Sequence, residues 1–188
     1  GKAGDALTDA DYNVVMGSDA LSADTLGSRS VAIGANAQAI SGANATAIAD
    51  SYASGTDSFA AAIGTNSSSY GANYANSVAI GPNAKTTSSQ GIAIGYYNTA
   101  GNYAASIGGY YNSATGIGSF ATGEYNSAVQ RGKVVFGAGQ SGVLQQGGML
   151  VLRAFTVDAT PKALYAGGST VGANQVILPN NSAYAFHG

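Results

Sequence analysis

The pentapeptide SVAIG occurs at residues 30–34 and again at residues 77–81, and GIAIG follows at residues 91–95. Related segments recur along the chain, so that a closing glycine or alanine falls at positions 17, 34, 49, 64, 81, 95, 108, 123 and 137. Nine copies at a mean interval of about 15 residues indicate a repeat architecture. Branched and small residues alternate within each copy, which predicts a short β-strand.

A second signature follows most copies, namely an asparagine and then a small residue. These pairs begin at positions 36, 66, 83, 98, 112 and 126. Asparagine and glycine tolerate the left-handed backbone of tight corners, so each repeat is expected to hold two short strands joined by a turn. Coils stacked about 4.8 Å apart can bond to their neighbours. We therefore expect an all-β fold in which residues 13–142 form a parallel β-roll, with a lead-in segment at 1–12.

The isoleucines of the repeats are expected to form one buried core file: Ile33, Ile48, Ile63, Ile80, Ile94 and Ile107. A coil as short as this repeat cannot enclose a wide triangular solenoid, so a second face must come from another copy of the chain. The central alanine would let neighbouring chains approach closely. These points predict a homotrimer. The alternative is a monomeric solenoid of the hexapeptide type, which the lack of a six-residue period disfavours.

Composition excludes several classes of function. Charged residues make up 9% of the chain and the net charge is −2, so no basic surface is available to bind nucleic acid. The chain has no cysteine and one histidine, so we expect neither a metal site nor a cofactor. No apolar run approaches the length of a membrane-spanning helix, and we expect no membrane insertion in this segment.

Catalytic residues are not expected either, so the chain is interpreted as a non-enzyme. The one histidine, His187, stands beside the last residue and has no evident partners for a catalytic relay. Asp50 and Asp57 are the only acidic residues close together in the roll, and neither has a paired acid in a neighbouring coil. Because glycoside hydrolysis needs two such carboxylates, a polysaccharide-degrading fibre is a distant alternative.

The repeats, with SVAIG and the GxNA corners that follow it, resemble the head repeats of trimeric autotransporter adhesins. The resemblance covers roughly residues 13–140, and similar head repeats occur in bacteriophage tail fibres. It implies a left-handed parallel β-roll, three chains wound around a common axis, and attachment to a surface ligand.

The chain departs from a bacterial adhesin after the repeats, because no heptad-patterned stalk follows. Residues 143–188 instead read as a small antiparallel β-module that precedes missing sequence, with a flexible junction at 137–142. The phrases TVDATPKAL (156–164) and NQVILPNNSAYAFHG (174–188) resemble phage tail-fibre and virion structural proteins. We therefore expect a virion fibre that contacts the host and other fibre proteins. The alternative is an adhesin head on a bacterial surface.

Tyrosines supply the candidate contact surface for a host glycan or protein. Tyr96-Tyr97-Asn98, Tyr110-Tyr111-Asn112 and Glu124-Tyr125-Asn126 recur at one constant interval, so their side chains should stack into a tyrosine ladder beside an asparagine ladder. A tyrosine ring offers an apolar face and a polar tip to a ligand. The same stack could instead serve only to stiffen the rod.

Overall fold

The computed structural model describes residues 2–5, 7–8, 12–22, 28–40, 43–64, 67–139 and 146–152. Within these ranges the regular structure is β-strand, and none of these residues is helical. No helix able to cross a membrane is found among them. The predicted all-β class is confirmed.

Sixteen short strands are defined in the described residues. In chain order they are β1 (Val14–Met16), β2 (Val31–Ile33), β3 (Gln38–Ala39), β4 (Thr46–Ile48), β5 (Tyr52–Ala53), β6 (Phe59–Ala61), β7 (Val78–Ile80), β8 (Lys85–Thr86), β9 (Ile92–Tyr96), β10 (Thr99–Ala100), β11 (Ala105–Tyr110), β12 (Ser113–Ala114), β13 (Phe120–Glu124), β14 (Ser127–Ala128), β15 (Val134–Ala138) and β16 (Gln146–Met149).

The strands form a solenoid of about eight turns. The long sheet contains nine parallel strands, one from each repeat, in the order β1-β2-β4-β6-β7-β9-β11-β13-β15. On the opposite side, β3 pairs with β5, and β8, β10, β12 and β14 pair in turn. Isolated bridges at Gly71 and Ala72 join these two smaller sheets. The two-stranded coil is therefore confirmed, whereas the left-handed winding stays a prediction.

The core between the two sides consists almost entirely of small side chains. The second residue of each long-sheet strand points inward, and Ala32, Ala47, Ala60, Ala79, Ala93 and Ala121 are fully buried. Across from them lie Ala39, Ala53, Ala72, Ala100, Ala114 and Ala128, also fully buried. Larger buried side chains lie at the two ends of the roll, Leu21 in the first coil and Val135 in the last. The high alanine content thus reflects a thin interior.

The prediction of a buried isoleucine file is wrong for the single chain. Ile33, Ile80 and Ile94 are half-buried, and Ile48 and Ile107 are each 37% exposed. Because side chains alternate along a strand, burying the central alanine turns both flanking residues to the outside. The alanine was expected between chains, and it lies inside its own roll instead.

Ile63 is fully buried for a different reason. Ala61, not Ile63, pairs with Ile48 and Ile80, so this repeat begins two residues earlier than its sequence suggests. Ile63 lies in the corner beyond the strand, where its N–H donates to Ser51 Oγ at 3.2 Å.

The closing glycine predicted at position 108 is in fact Gly109, one residue later. In β11 the register shifts between Ile107 and Tyr110, and Tyr110 pairs with Tyr96. A Cβ on Gly95 would lie 2.8 Å from the carbonyl oxygen of Gly109, so Gly109 occupies the closing position and Gly108 is the extra residue of a bulge. The last five closing glycines are therefore Gly81, Gly95, Gly109, Gly123 and Gly137, which are evenly spaced along the chain.

Both ends of the roll are covered by chain that leaves the repeat. In the lead-in, Leu7 packs against the core, and the Gly4 N–H donates to the Ala20 carbonyl at 2.9 Å. At the other end β16 pairs antiparallel with β15, and Gln146 Oε1 accepts the N–H of Ser127. The first strand after the junction thus continues the long sheet. The rest of the expected 143–188 module lies mostly outside the described residues.

Candidate functional site

The corner that follows each long-sheet strand places the aromatic side chains. Asn36 and Asn83 take the left-handed conformation there, each with φ of 56°. In the short second strands Lys85 pairs with Thr99, Thr99 pairs with Ser113, and Ser113 pairs with Ser127. This register aligns Asn83 with Tyr97, Tyr111 and Tyr125, whose φ values are 53°, 55° and 52°. Tyrosine thus replaces asparagine at a left-handed corner in three successive coils.

Five side chains form what we call the tyrosine ladder: Tyr96, Tyr97, Tyr110, Tyr111 and Tyr125. In one column the Tyr97 and Tyr111 ring centroids are 4.6 Å apart, and those of Tyr111 and Tyr125 are 5.2 Å apart, with the planes within 6°. In the other column Tyr96 and Tyr110 stack at 5.1 Å and 5°. The predicted aromatic stack is therefore present in the structure.

The two columns also touch each other. The rings of Tyr110 and Tyr111 meet at 4.6 Å and 62°, and those of Tyr96 and Tyr97 meet at 4.8 Å and 57°. Tyr70, from the preceding turn, meets the Tyr97 ring edge-on at 6.0 Å, and Lys85 Nζ lies 5.9 Å from the Tyr70 centroid. The ladder is thus one aromatic cluster that extends over several coils.

Stacking alters the acidity of the phenols. The pKa values of Tyr110 and Tyr111 are raised above 10.0, mainly by desolvation within the cluster. A hydrogen bond to Tyr125 also raises the pKa of Tyr110, since it stabilises the protonated phenol. Tyr110 and Tyr111 are therefore uncharged near neutral pH, with hydroxyl groups that can donate and accept hydrogen bonds.

The asparagine ladder, Asn98, Asn112 and Asn126, lies inside the roll, so its predicted place in the exposed contact surface is wrong. Asn112 Nδ2 donates to the carbonyls of Gly108 at 2.9 Å and Gly123 at 2.7 Å. These asparagines occupy the file of the buried Ala84, where an amide reaches the backbone of two coils. They hold the corner on which the tyrosines stand.

A second candidate surface is the outer face of the long sheet, meaning the side chains that point away from the alanine core. It combines half-buried residues such as Val31, Ile80 and Ile94 with exposed ones at the ends, where Met16 is 60% and Phe136 52% exposed. An apolar strip this long on a single chain indicates an interaction surface. This surface was not predicted from the sequence, because the isoleucines were expected to lie in the core.

Polar side chains line the corner that precedes each long-sheet strand, opposite the tyrosine corner. Arg29 Nε donates to Asn44 Oδ1 at 3.0 Å, and Asn44 Nδ2 donates to Asp57 Oδ1 at 2.7 Å. Asp57 therefore takes part in a surface chain of hydrogen bonds. No cluster of three or more potential metal ligands occurs in the described residues, and His187 lies outside them.

Two segments of the chain, residues 26–48 and 75–98, match the YadA head domain repeat. A search of curated proteins and of solved structures found no significant match to the chain. The matched segments cover about a quarter of the 188 residues, and the coil pattern of the structure extends well beyond them. The chain carries YadA head repeats in a β-solenoid, and such repeats indicate an adhesive, surface-exposed fibre.

Proposed function

We propose that the chain is the head of a homotrimeric adhesive fibre displayed outside the cell, and that the outer face of the long sheet is the contact between its three chains. The observation that supports this is the exposure of Ile48 and Ile107 beside half-buried Ile33, Ile80 and Ile94. Fully burying an exposed isoleucine contributes about 1.5–3 kcal/mol, so covering the part of these side chains that is still exposed contributes a fraction of that in each coil and favours association.

A closed ring of chains suits this strip better than an open array. Each chain presents the same strip along its full length, and rotation about an axis parallel to the rod would bring all three strips together. The choice of three rests on the resemblance to trimeric adhesin heads. In such an assembly the tyrosine corner and the short second strands are left for other contacts.

For the finer assignment we propose a virion fibre, such as a bacteriophage tail fibre, that contacts a host surface. Its support is the resemblance of residues 156–164 and 174–188 to tail-fibre proteins, and both phrases lie outside the described residues. The second candidate, a bacterial adhesin head, is favoured by the matched repeats at 26–48 and 75–98. Labelling with an antibody against the chain in electron micrographs separates them, because signal on virions supports the first and signal on bacterial envelopes the second.

We further propose that the protein acts by binding and not by turnover. Asp57 lies at an exposed corner of the roll, where its Oδ1 accepts a hydrogen bond from Asn44 Nδ2 at 2.7 Å. Incubation with capsular polysaccharide should release no new reducing ends. Sustained release that requires Asp50 or Asp57 would contradict this part of the proposal.

The adhesion proposal is tested with fluorescent beads that carry the purified chain. Beads should bind to candidate host cells, and beads carrying an Ile80→Lys, Ile94→Lys variant should bind weakly because the trimer is lost. The matched control is Thr115→Lys, an exposed position after β12 on the opposite side of the roll. Equal adhesion by all three proteins, or by none, would contradict the proposal.

A further inference from the structure

The tyrosine ladder offers hydroxyl groups and ring edges to solvent, since ring faces are largely used within the columns. Tyr97, Tyr111 and Tyr125 stack face to face at 4.6 and 5.2 Å, as do Tyr96 and Tyr110 at 5.1 Å. Even so, Tyr96, Tyr110 and Tyr111 remain 38–40% exposed. The result is a row of phenols along the rod, repeated at the spacing of the coils.

The corner itself does not require tyrosine. Asn36 and Asn83 make the same turn with the same backbone conformation. A residue other than glycine or asparagine at a left-handed corner costs about 1–2 kcal/mol, and three successive coils carry this cost. Stacking returns about 0.5–1.5 kcal/mol per pair, and the ladder contains seven ring pairs, so stacking is sufficient to offset this cost. The corner thus carries tyrosine although asparagine makes the same turn, and of the three corner rings Tyr111 is 39% exposed and open to a ligand.

The chemistry around the ladder offers little to a strongly charged ligand. No Asp, Glu, Lys or Arg occurs between Lys85 and Glu124, so charges border the ladder only at its two ends, one of each sign. Phenol hydroxyls at regular spacing can donate and accept hydrogen bonds, which matches a ligand made of regularly repeated hydroxyl groups. The apolar ring edges suit the C–H surfaces of the same ligand.

We propose that the tyrosine ladder is a binding site for a neutral glycan chain laid along the rod, with sugar hydroxyl groups bonded to Tyr96, Tyr110 and Tyr111. The inference rests on the proposed adhesive function and names the class of its ligand. Tyr96 and Tyr110 are the last residues of β9 and β11, at the corner end of the outer face of the long sheet, so the glycan would reach them at the edge of the contact between chains.

The test uses arrays of immobilised oligosaccharides probed with the intact chain. The neutral probes are gluco-, manno- and galacto-oligosaccharides, and sulfated and sialylated glycans are the charged comparison. The variant Tyr96→Phe, Tyr110→Phe, Tyr111→Phe keeps the rings and removes the hydroxyl groups. Loss of three hydrogen bonds should weaken binding to the neutral probe by about tenfold or more. The matched control is Tyr103→Phe, a tyrosine 60% exposed at the opposite corner, which should bind as the parent does.

Three results would overturn the inference: no binding to any neutral probe, binding only to sulfated or sialylated glycans, or a triple variant that binds as tightly as the parent. Solution mass must accompany each measurement. If the triple variant no longer forms trimers, the ladder is a contact between chains and the inference fails. If the parent beads adhere to cells but the chain binds no glycan, this inference alone is contradicted. If the parent chain is monomeric and its beads do not adhere, the proposed function is contradicted.

Discussion

The backbone N–H of Asn112 donates to the side-chain Oδ1 of Asn98 in the preceding coil at 2.8 Å. The same bond recurs one turn later, where the Asn126 N–H donates to Asn112 Oδ1 at 3.0 Å. Each amide of the asparagine ladder thus links its own coil to the next. This buried chain of bonds explains how the corner can carry bulky tyrosines in a strained backbone conformation.

Asn112→Ala should destabilise the roll by about 3 kcal/mol. The substitution removes the side-chain partner of the Gly123 carbonyl and of the Asn126 N–H, while the Gly108 carbonyl keeps its bond from Asn98 Nδ2 at 3.1 Å. Alanine fits sterically because Ala84 occupies the same file. Urea denaturation followed by circular dichroism measures the change. Asn102→Ala, at a half-buried turn, is the control and should cost about 0.5 kcal/mol. Equal losses in the two variants would show that the ladder does not hold the corner.

Gly109→Ala should destabilise the roll far more than Gly118→Ala. Both glycines have positive φ, 79° and 66°, so both substitutions carry a backbone cost of about 1 kcal/mol. A Cβ on Gly109 would also lie 2.6 Å from the carbonyl carbon of Gly123, while a Cβ on Gly118 has no atom within 4 Å. The first variant should therefore lose about 3 kcal/mol or more. Thermal melts of the two proteins give the comparison, and similar melting temperatures would speak against closing contacts between coils.

Lysine at the outer face should separate the chains without unfolding them. In Ile80→Lys, Ile94→Lys the flexible stems can reach solvent in a single chain, but two charges would be buried in an assembly. Light scattering should show a monomer whose circular dichroism spectrum keeps its β-sheet character. Thr115→Lys should stay assembled. An unchanged mass for the double lysine variant would place the chain contact elsewhere.

Stability should fall at strongly alkaline pH through Tyr110 and Tyr111. Their folded pKa values exceed the unfolded value of 10.0, so the folded state holds its protons more tightly. Their contribution is fully present below pH 10.0 and is lost as the pH rises through the folded pKa values. Melting temperatures of the parent and of Tyr110→Phe, Tyr111→Phe, measured across this range, should show a smaller decline in the variant. Parallel declines would mean that the two phenols titrate as they do in the unfolded chain.

The fold class could be predicted from the repeat, because nine similar segments can bury one set of their alternating residues only by stacking. The sequence did not decide which side of the strand faces inward. Ile is usually the core residue and Ala the neutral one, yet in a coil this thin the inward position of the long sheet is occupied by Ala in most coils. The predicted register was wrong at Ile63, where the repeat begins two residues earlier, and at Gly108, where a bulge imitates the Ile-Gly end of the motif. The tyrosine stack followed from the constant spacing of its repeats, but nothing in the sequence showed that Asn98, Asn112 and Asn126 would turn inward.

The mass of the chain in dilute solution tests the central claim most directly. Light scattering coupled to size-exclusion chromatography should give three times the 18.5 kDa of one chain, and the Ile80→Lys, Ile94→Lys variant should give one. A folded parent protein that runs as a stable monomer at every concentration would contradict the account, because the exposed outer face would then have no partner.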